Sequence, residues 1–320
     1  MVTRLFLTII INPIKTKQFF LTVCLLIVSM AASAVTINKA LLQHNGEVTL
    51  FDGNDMQLAV NSAVDGDTIY LTLGTFKPFT VNKKITVRGT GETSIIDGSV
   101  DISIPGSQKL TSPVLETLAV SGNVTVKADV NDLILRKCKV ASVTFSGNID
   151  GGVIDRCYIT NTLTLTSYIK GLTVVNTKIY SVKANNGATN NTTFVNCNFY
   201  DLFTDYFAGT IINSIIQNRH GQTLSSTVLI NTVINRYNLL IGSSSITQNC
   251  KFVNTQDYVS SSCNCTPDNS YLGTDGTIVG IYGGDTPYTL VPSVPKVTSS
   301  DLDLDNVNKV LNVKLTVSPQ

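Results

Sequence analysis

Two aspartates, two arginines and a histidine fall at related positions of three successive repeats in this 320-residue chain. They are Asp201 and Asp205, then Arg219 and His220, then Arg236, which Tyr237 follows. Counted from a small residue in each repeat (Cys197, Ser214, Thr232), they stand at +4 and +8, +5 and +6, and +4 and +5. Stacked repeats would bring most of them to one side. Two carboxylates beside an Arg or His have the composition for acid–base work, such as glycoside cleavage or β-elimination at a uronate. The same groups also suit a solvated turn whose opposite charges pair across repeats, or a patch that holds an acidic sugar without cleaving it. Tyr180 and Tyr200 both stand at +3 in neighbouring repeats, and with Tyr237 they are candidates for stacking on sugar rings. Such ladders also arise as plain structure, and the lack of tryptophan weakens a lectin-like reading.

The repeat itself is marked by cysteine. Aligning one small residue per copy gives Cys138, Cys157, Thr177, Cys197, Ser214, Thr232 and Cys250, with spacings of 19, 20, 20, 17, 18 and 18. A period near twenty, rich in β-branched residues, Asn and Gly, fits one turn of a solenoid. The leucine and asparagine framework of leucine-rich repeats is absent. Apolar residues stand three before this column (Leu135, Ile154, Val174, Phe194, Ile211, Leu229, with Thr247 the exception) and two after it (Val140, Ile159, Ile179, Phe199, Ile216, Ile234, Phe252). A strand alternates with period two, so inward positions at −3, 0 and +2 require a break between them. Asn176, Asn196, Asn213, Asn231 and Asn249 stand at −1, where the break falls. Asparagine tolerates positive φ and bonds to nearby backbone, so it suits a tight bend, and stacked copies are expected to form an asparagine ladder.

On these residues the chain resembles the right-handed parallel β-helices of the pectate-lyase-like superfamily, from about Gly66 to Gly284. The fold the resemblance implies is all-β, a right-handed parallel β-helix of rungs of about 18–20 residues. An N-terminal capping helix (Met56 to Val64) precedes a strand from Thr68, and a β-hairpin closes the C-terminal tail. In enzymes of that superfamily a groove along one sheet carries acidic residues, often with calcium, and a basic residue. Here the matching segments put Thr144, Thr164, Thr166 and Lys183 outward, with no acidic cluster, and "RHG" at 219 to 221 only partly echoes a hydrolase motif. Calcium would be a cofactor only if the chain were a lyase; no cofactor or metal is otherwise expected. "DLDLDN" at 301 to 306 begins like a calcium loop but lacks the glycine and the final glutamate, and reads instead as part of a hairpin turning at "NVNK".

The cysteines of the inward column read as small buried side chains, because a catalytic thiolate needs exposure and a basic partner. Cys138 and Cys157 on adjacent rungs would make a strained disulfide. Cys263 and Cys265 lie in a loop, where a bridge from Cys263 to Cys250 is open to an exported protein.

Export is expected because "KTKQFFLTVCLLIVSMAASA" has the layout of a secretory signal peptide, with cleavage after Ala34 and no membrane span afterwards. The organisation is then 1–34 signal peptide, 35–65 N-terminal segment and capping helix, 66–284 β-helix, and 285–320 tail with hairpin. A net charge of +1 without a basic run gives no electrostatic case for nucleic acid or an anionic membrane. These observations together imply a secreted or cell-envelope β-helix with a non-catalytic binding or structural role, its partner a polysaccharide or cell-surface glycan. The alternative is a polysaccharide lyase or glycoside hydrolase acting on an acidic polysaccharide through Asp201, Asp205, Arg219, His220 and Arg236.

Overall fold

The computed structural model describes residues 38–318 apart from residues 107, 166–167, 185–189, 204–206, 218–222, 236–239, 255–258, 266–269, 293–295 and 306–309. Its chain divides into two units, Thr36–Val291 and a second that includes Pro292–Gln320.

The first unit is a parallel β-solenoid of about eight turns. One long sheet stacks the strands just before the small-residue column, among them Val114–Glu116, Ile134–Arg136, Val153–Asp155, Ile169–Val175, Asn190–Val195, Thr210–Ile212 and Val228–Ile230. A second sheet stacks those that follow it, among them Ala119–Val126, Lys139–Phe145, Tyr158–Leu165, Lys178–Ala184 and Asn198–Phe203. The register keeps like positions in line: Leu135 pairs with Ile154, Ile154 with Val174, Val174 with Phe194 and Phe194 with Ile211. These residues, and Val140, Ile159, Ile179, Phe199, Ile216 and Ile234 on the second sheet, are buried. Removing each such side chain from water is worth about 1.5–3 kcal/mol, which is what drives the coil to close. Only the last turn departs, where Thr247 and Phe252 are exposed at the end of the stack.

The residue before each column member adopts positive φ at Asn176, Asn196, Asn213, Asn231 and Asn249, as the sequence implies, and also at Thr117, Lys137 and Arg156. A second bend, two residues before the first-sheet strands, has no asparagine signature. Ser112, Asp132, Gly151, Gly171 and Ser226 hold positive φ there. It separates the first sheet from a third face made of short strands, Lys109–Thr111, Asp129–Asn131, Ile149–Asp150 and the start of Ile169–Val175.

At the N-terminal end the helix Met56–Ser62 turns Met56, Ala59 and Val60 into the core. The hairpin Lys39–His44/Glu47–Asp52 adds antiparallel strands to the first sheet beyond Thr68–Leu71, which the sequence pattern did not announce. The second unit contains the antiparallel pair Lys296–Asp305 and Val310–Ser318, with Leu304 opposite Leu311. The expected turn at 306–309 lies outside the described residues.

Candidate functional site

The cysteine column is a hydrogen-bonding device. The bend leaves one N–H per turn, that of the column residue, without a strand partner, and the column side chain of the next turn accepts it. Cys157 N–H reaches Thr177 Oγ1 at 3.2 Å, Cys197 N–H reaches Ser214 Oγ at 3.0 Å and Cys138 N–H reaches Cys157 Sγ at 3.5 Å. Each side chain in turn donates to a carbonyl two residues back, Thr177 to Val175 at 2.7 Å and Cys197 to Val195 at 3.3 Å. Buried backbone donors must be satisfied, so the position calls for a small residue that both accepts and donates, which Cys, Ser and Thr supply. Burial pushes the Cys197 thiol up to about 12 and raises that of Cys157, so neither is a thiolate near neutral pH. Cys250, Cys263 and Cys265 are free, so the bridge considered between Cys250 and Cys263 is not formed. Cys263 is itself buried, its thiol also pushed up to about 12 by desolvation.

The corner asparagines hold the tail of the coil unit rather than forming a ladder with one another. Asn176 Nδ2 donates to Gly283 O at 2.7 Å and Ile281 O at 3.2 Å, and Asn213 Oδ1 accepts from Thr274 N–H at 2.9 Å. On the second sheet Asn198 Nδ2 donates to Cys263 O at 3.0 Å, while its Oδ1 accepts from Ile281 N–H at 3.3 Å. Gly280, at φ +87, lets the tail lie this close, since a Cβ there would stand 2.6 Å from Asn198 Oδ1. A small apolar cluster of Ile215, Val233, Val259 and Val279 completes this cover over the outer face of the second sheet. Further along, Lys178 Nζ sits 4.4 Å from the centre of the Tyr288 ring and Lys137 Nζ donates to Val291 O at 3.0 Å. Burial lowers the pKa of both lysines.

Of the residues expected to do chemistry, Asp201 lies in Asn198–Phe203 and is fully buried. Asp205, Arg219, His220, Arg236 and Tyr237 lie outside the described residues, as does Thr166. Tyr180 and Tyr200 do stack across adjacent turns, ring centres 4.8 Å apart and tilted by 34°. Tyr200 is buried and Tyr180 half-buried. Thr144, Thr164 and Lys183 share an outward row of the second sheet, with Thr144 and Thr164 half-buried and Lys183 exposed.

The outer face of the first sheet spends its charges internally. Arg88 pairs with Glu116 at 2.8 Å and Arg136 with Asp155 at 3.1 Å, Arg156 closing on the same carboxylate at 2.6 Å. Beyond Asp155 that column continues as Val175, Val195, Ile212 and Ile230.

The third face differs. Its inward column, Leu110, Val130, Ile149 and Ile169, is buried, and two outward rows flank it. One runs Lys109, Asp129, Asn148, Tyr168, and the other Thr111, Asn131, Asp150, Lys170, in register from turn to turn. Lys109, Asp129, Asn131, Asn148, Ile149, Asp150 and Tyr168 line an open recess of about 270 Å³. Tyr168 is 50% exposed at its edge. Asp129 Oδ1 accepts from both the backbone N–H and Nδ2 of Asn148, each at 3.0 Å. The backbone bond, then the side-chain bond, with a smaller pull from Lys109, hold its carboxyl below the usual range. Asp150 faces Lys170 at 3.8 Å. The residues of this face belong to no common motif; the signal for it in the sequence is Lys109, Asp129, Asn148 and Tyr168 recurring at the period of the repeat.

Among the described residues no group of three or more His, Cys, Asp or Glu side chains is arranged to hold a metal ion, and no helix is long and apolar enough to cross a membrane. No family model, curated protein or solved structure matches the chain.

Proposed function

We propose that the chain is a non-catalytic β-solenoid, working outside the cytoplasm, that holds a glycan against the third face. The recess around Tyr168 carries this reading. It joins a half-exposed aromatic ring to amide and carboxylate groups spaced by the rigid turn-to-turn repeat, the mixture that engages both faces and edges of a sugar. A binding rather than a cleaving role is supported by Asp129. Glycoside cleavage needs a carboxyl held protonated near the working pH to act on the leaving oxygen. The Asn148 bonds work the other way and keep Asp129 ionised, an acceptor rather than a proton donor.

The test pairs binding with turnover on one polysaccharide panel, with and without calcium. Retention of the protein by at least one polymer without release of reducing ends is the expected result. Reducing-end release that disappears in a folded His220→Ala or Asp205→Ala variant would replace this reading with a lyase or hydrolase.

A further inference from the structure

We infer that the Tyr168 recess selects neutral, hydroxyl-rich glycans over uronate polymers, an inference that rests on the glycan-binding reading and specifies its ligand. The reason lies in the supply of donors and acceptors. Ionised carboxylates only accept, and the recess presents two of them, Asp129 and Asp150, on adjacent turns. Asn131 adds an amide that both accepts and donates, and Asn148 a carbonyl oxygen. Asn148 has already committed one of its two amide N–H groups and its backbone N–H to Asp129. The lining is therefore rich in acceptors, and sugar hydroxyls are the donors that fit it.

Two lysines balance the two carboxylates of this face, so it carries no surplus of positive charge to attract a polyanion. Lys170 lies 3.8 Å from Asp150, and Lys109 occupies the row position beside Asp129. Among the described residues no arginine lines the recess, so they do not supply the two-pronged geometry that best captures a carboxylate. A uronate seated on Tyr168 would bring its charge towards Asp129 and Asp150 with only the ammonium groups of Lys109 and Lys170, already shared with those carboxylates, to meet it. A neutral pyranose would lay its apolar face on the Tyr168 ring and direct its edge hydroxyls to the carboxylates. Asp129 and Asp150 stand diagonally on adjacent turns, roughly 7–8 Å apart along the face, so each can take a hydroxyl from opposite ends of one ring or from neighbouring rings.

The experiment is affinity electrophoresis of the purified protein through gels containing glucomannan, xyloglucan, polygalacturonate or alginate. Tyr168→Ala, Tyr168→Phe and an Asp129→Asn/Asp150→Asn double variant are run beside it, with circular dichroism as the check on folding. The expected pattern is retardation by a neutral polymer, weakened about tenfold in Tyr168→Ala and kept in Tyr168→Phe. The double variant, isosteric and without the two charges, should lose selectivity and gain retardation by the uronates. Preferential retardation of the wild type by polygalacturonate or alginate, abolished in Tyr168→Ala, would overturn the neutral preference while leaving glycan binding intact. Retardation by a neutral polymer that Tyr168→Ala does not change would overturn the location. No retardation by any polymer would overturn the glycan reading itself, and this inference with it.

Discussion

Replacing Thr177 by valine keeps the shape of the buried column while removing its hydroxyl, and so separates hydrogen bonding from packing. In the native coil Thr177 Oγ1 accepts the Cys157 N–H at 3.2 Å and donates to Val175 O at 2.7 Å. Val175 O keeps a second donor, the Arg156 N–H at 3.0 Å, so its loss is small. Cys157 N–H keeps nothing, and both residues are buried. An orphaned buried donor costs about 1–3 kcal/mol, so Thr177→Val should destabilise by about 2 kcal/mol. Thr177→Ser keeps both bonds and loses one methyl, costing about 1 kcal/mol with its small cavity. Equilibrium unfolding in urea ranks the two variants, and amide exchange at Cys157 reports the bond directly, with at least about tenfold faster exchange expected in the valine variant for each 1.4 kcal/mol of local opening. If serine costs as much as valine, or the Cys157 amide stays protected in the valine variant, the column is packing alone and the hydrogen-bond account of its cysteines fails.

Other consequences are as direct. Asn176→Ala must hold alanine at positive φ, costing about 1–2 kcal/mol, and gives up both bonds to the tail; Asn176→Gly gives up only the bonds. Limited proteolysis should therefore cut residues 271–291 faster in both, while urea unfolding shows the alanine variant to be the weaker. Asp129 has a lowered folded pKa, so its contribution to stability is complete above the unfolded value of about 3.9 and is lost as pH falls through the lower folded value. Asp129→Asn should flatten the stability profile only in that acid window, as seen in denaturation midpoints measured from pH 2 to 6 (about two units either side of the unfolded pKa). Cys138, Cys157, Cys197 and Cys263 are buried and should resist an aromatic disulfide reagent until the chain unfolds, whereas the partly exposed Cys250 and Cys265 should react in the native state.

The coil was legible because its core obeys one rule repeated many times. Leu135, Ile154, Val174 and Phe194 announce the register, and Asn176 and Asn196 announce the bend that puts Thr177 and Cys197 inward. The second bend was not legible, since Ser112, Asp132, Gly151, Gly171 and Ser226 reach the same conformation through three different residue types, and only glycine among them is a strong local signal. The role of the asparagine amides is hidden from the sequence for a related reason. A positive φ needs only the backbone of Asn176, so its amide is left over for another partner, and no periodicity within the repeat reveals that this partner is a tail about a hundred residues later. Asp201 illustrates the same limit. Its +4 spacing places it on the second sheet, but whether that sheet is open or covered depends on segments far along the chain.

Coverage is also what distinguishes the three faces as places for a ligand. The second sheet lends part of its outer face to the tail, through Asn198 and the Ile215 cluster. The first sheet carries strong charges, yet Arg88, Glu116, Arg136, Asp155 and Arg156 are committed to one another, and a ligand that broke those pairs would have to repay the exposure of each partner. The third face has an exposed ring and carboxylate oxygens whose hydrogen-bonding capacity the fold only partly uses: Asp129 Oδ1 is bound twice by Asn148, and Asp150 lies at the long distance of 3.8 Å from Lys170. A ligand bearing hydroxyl donors can bind there without breaking an existing bond. That difference in cost, more than the number of polar groups on any face, makes Tyr168 and its neighbours the place where a ligand would displace least.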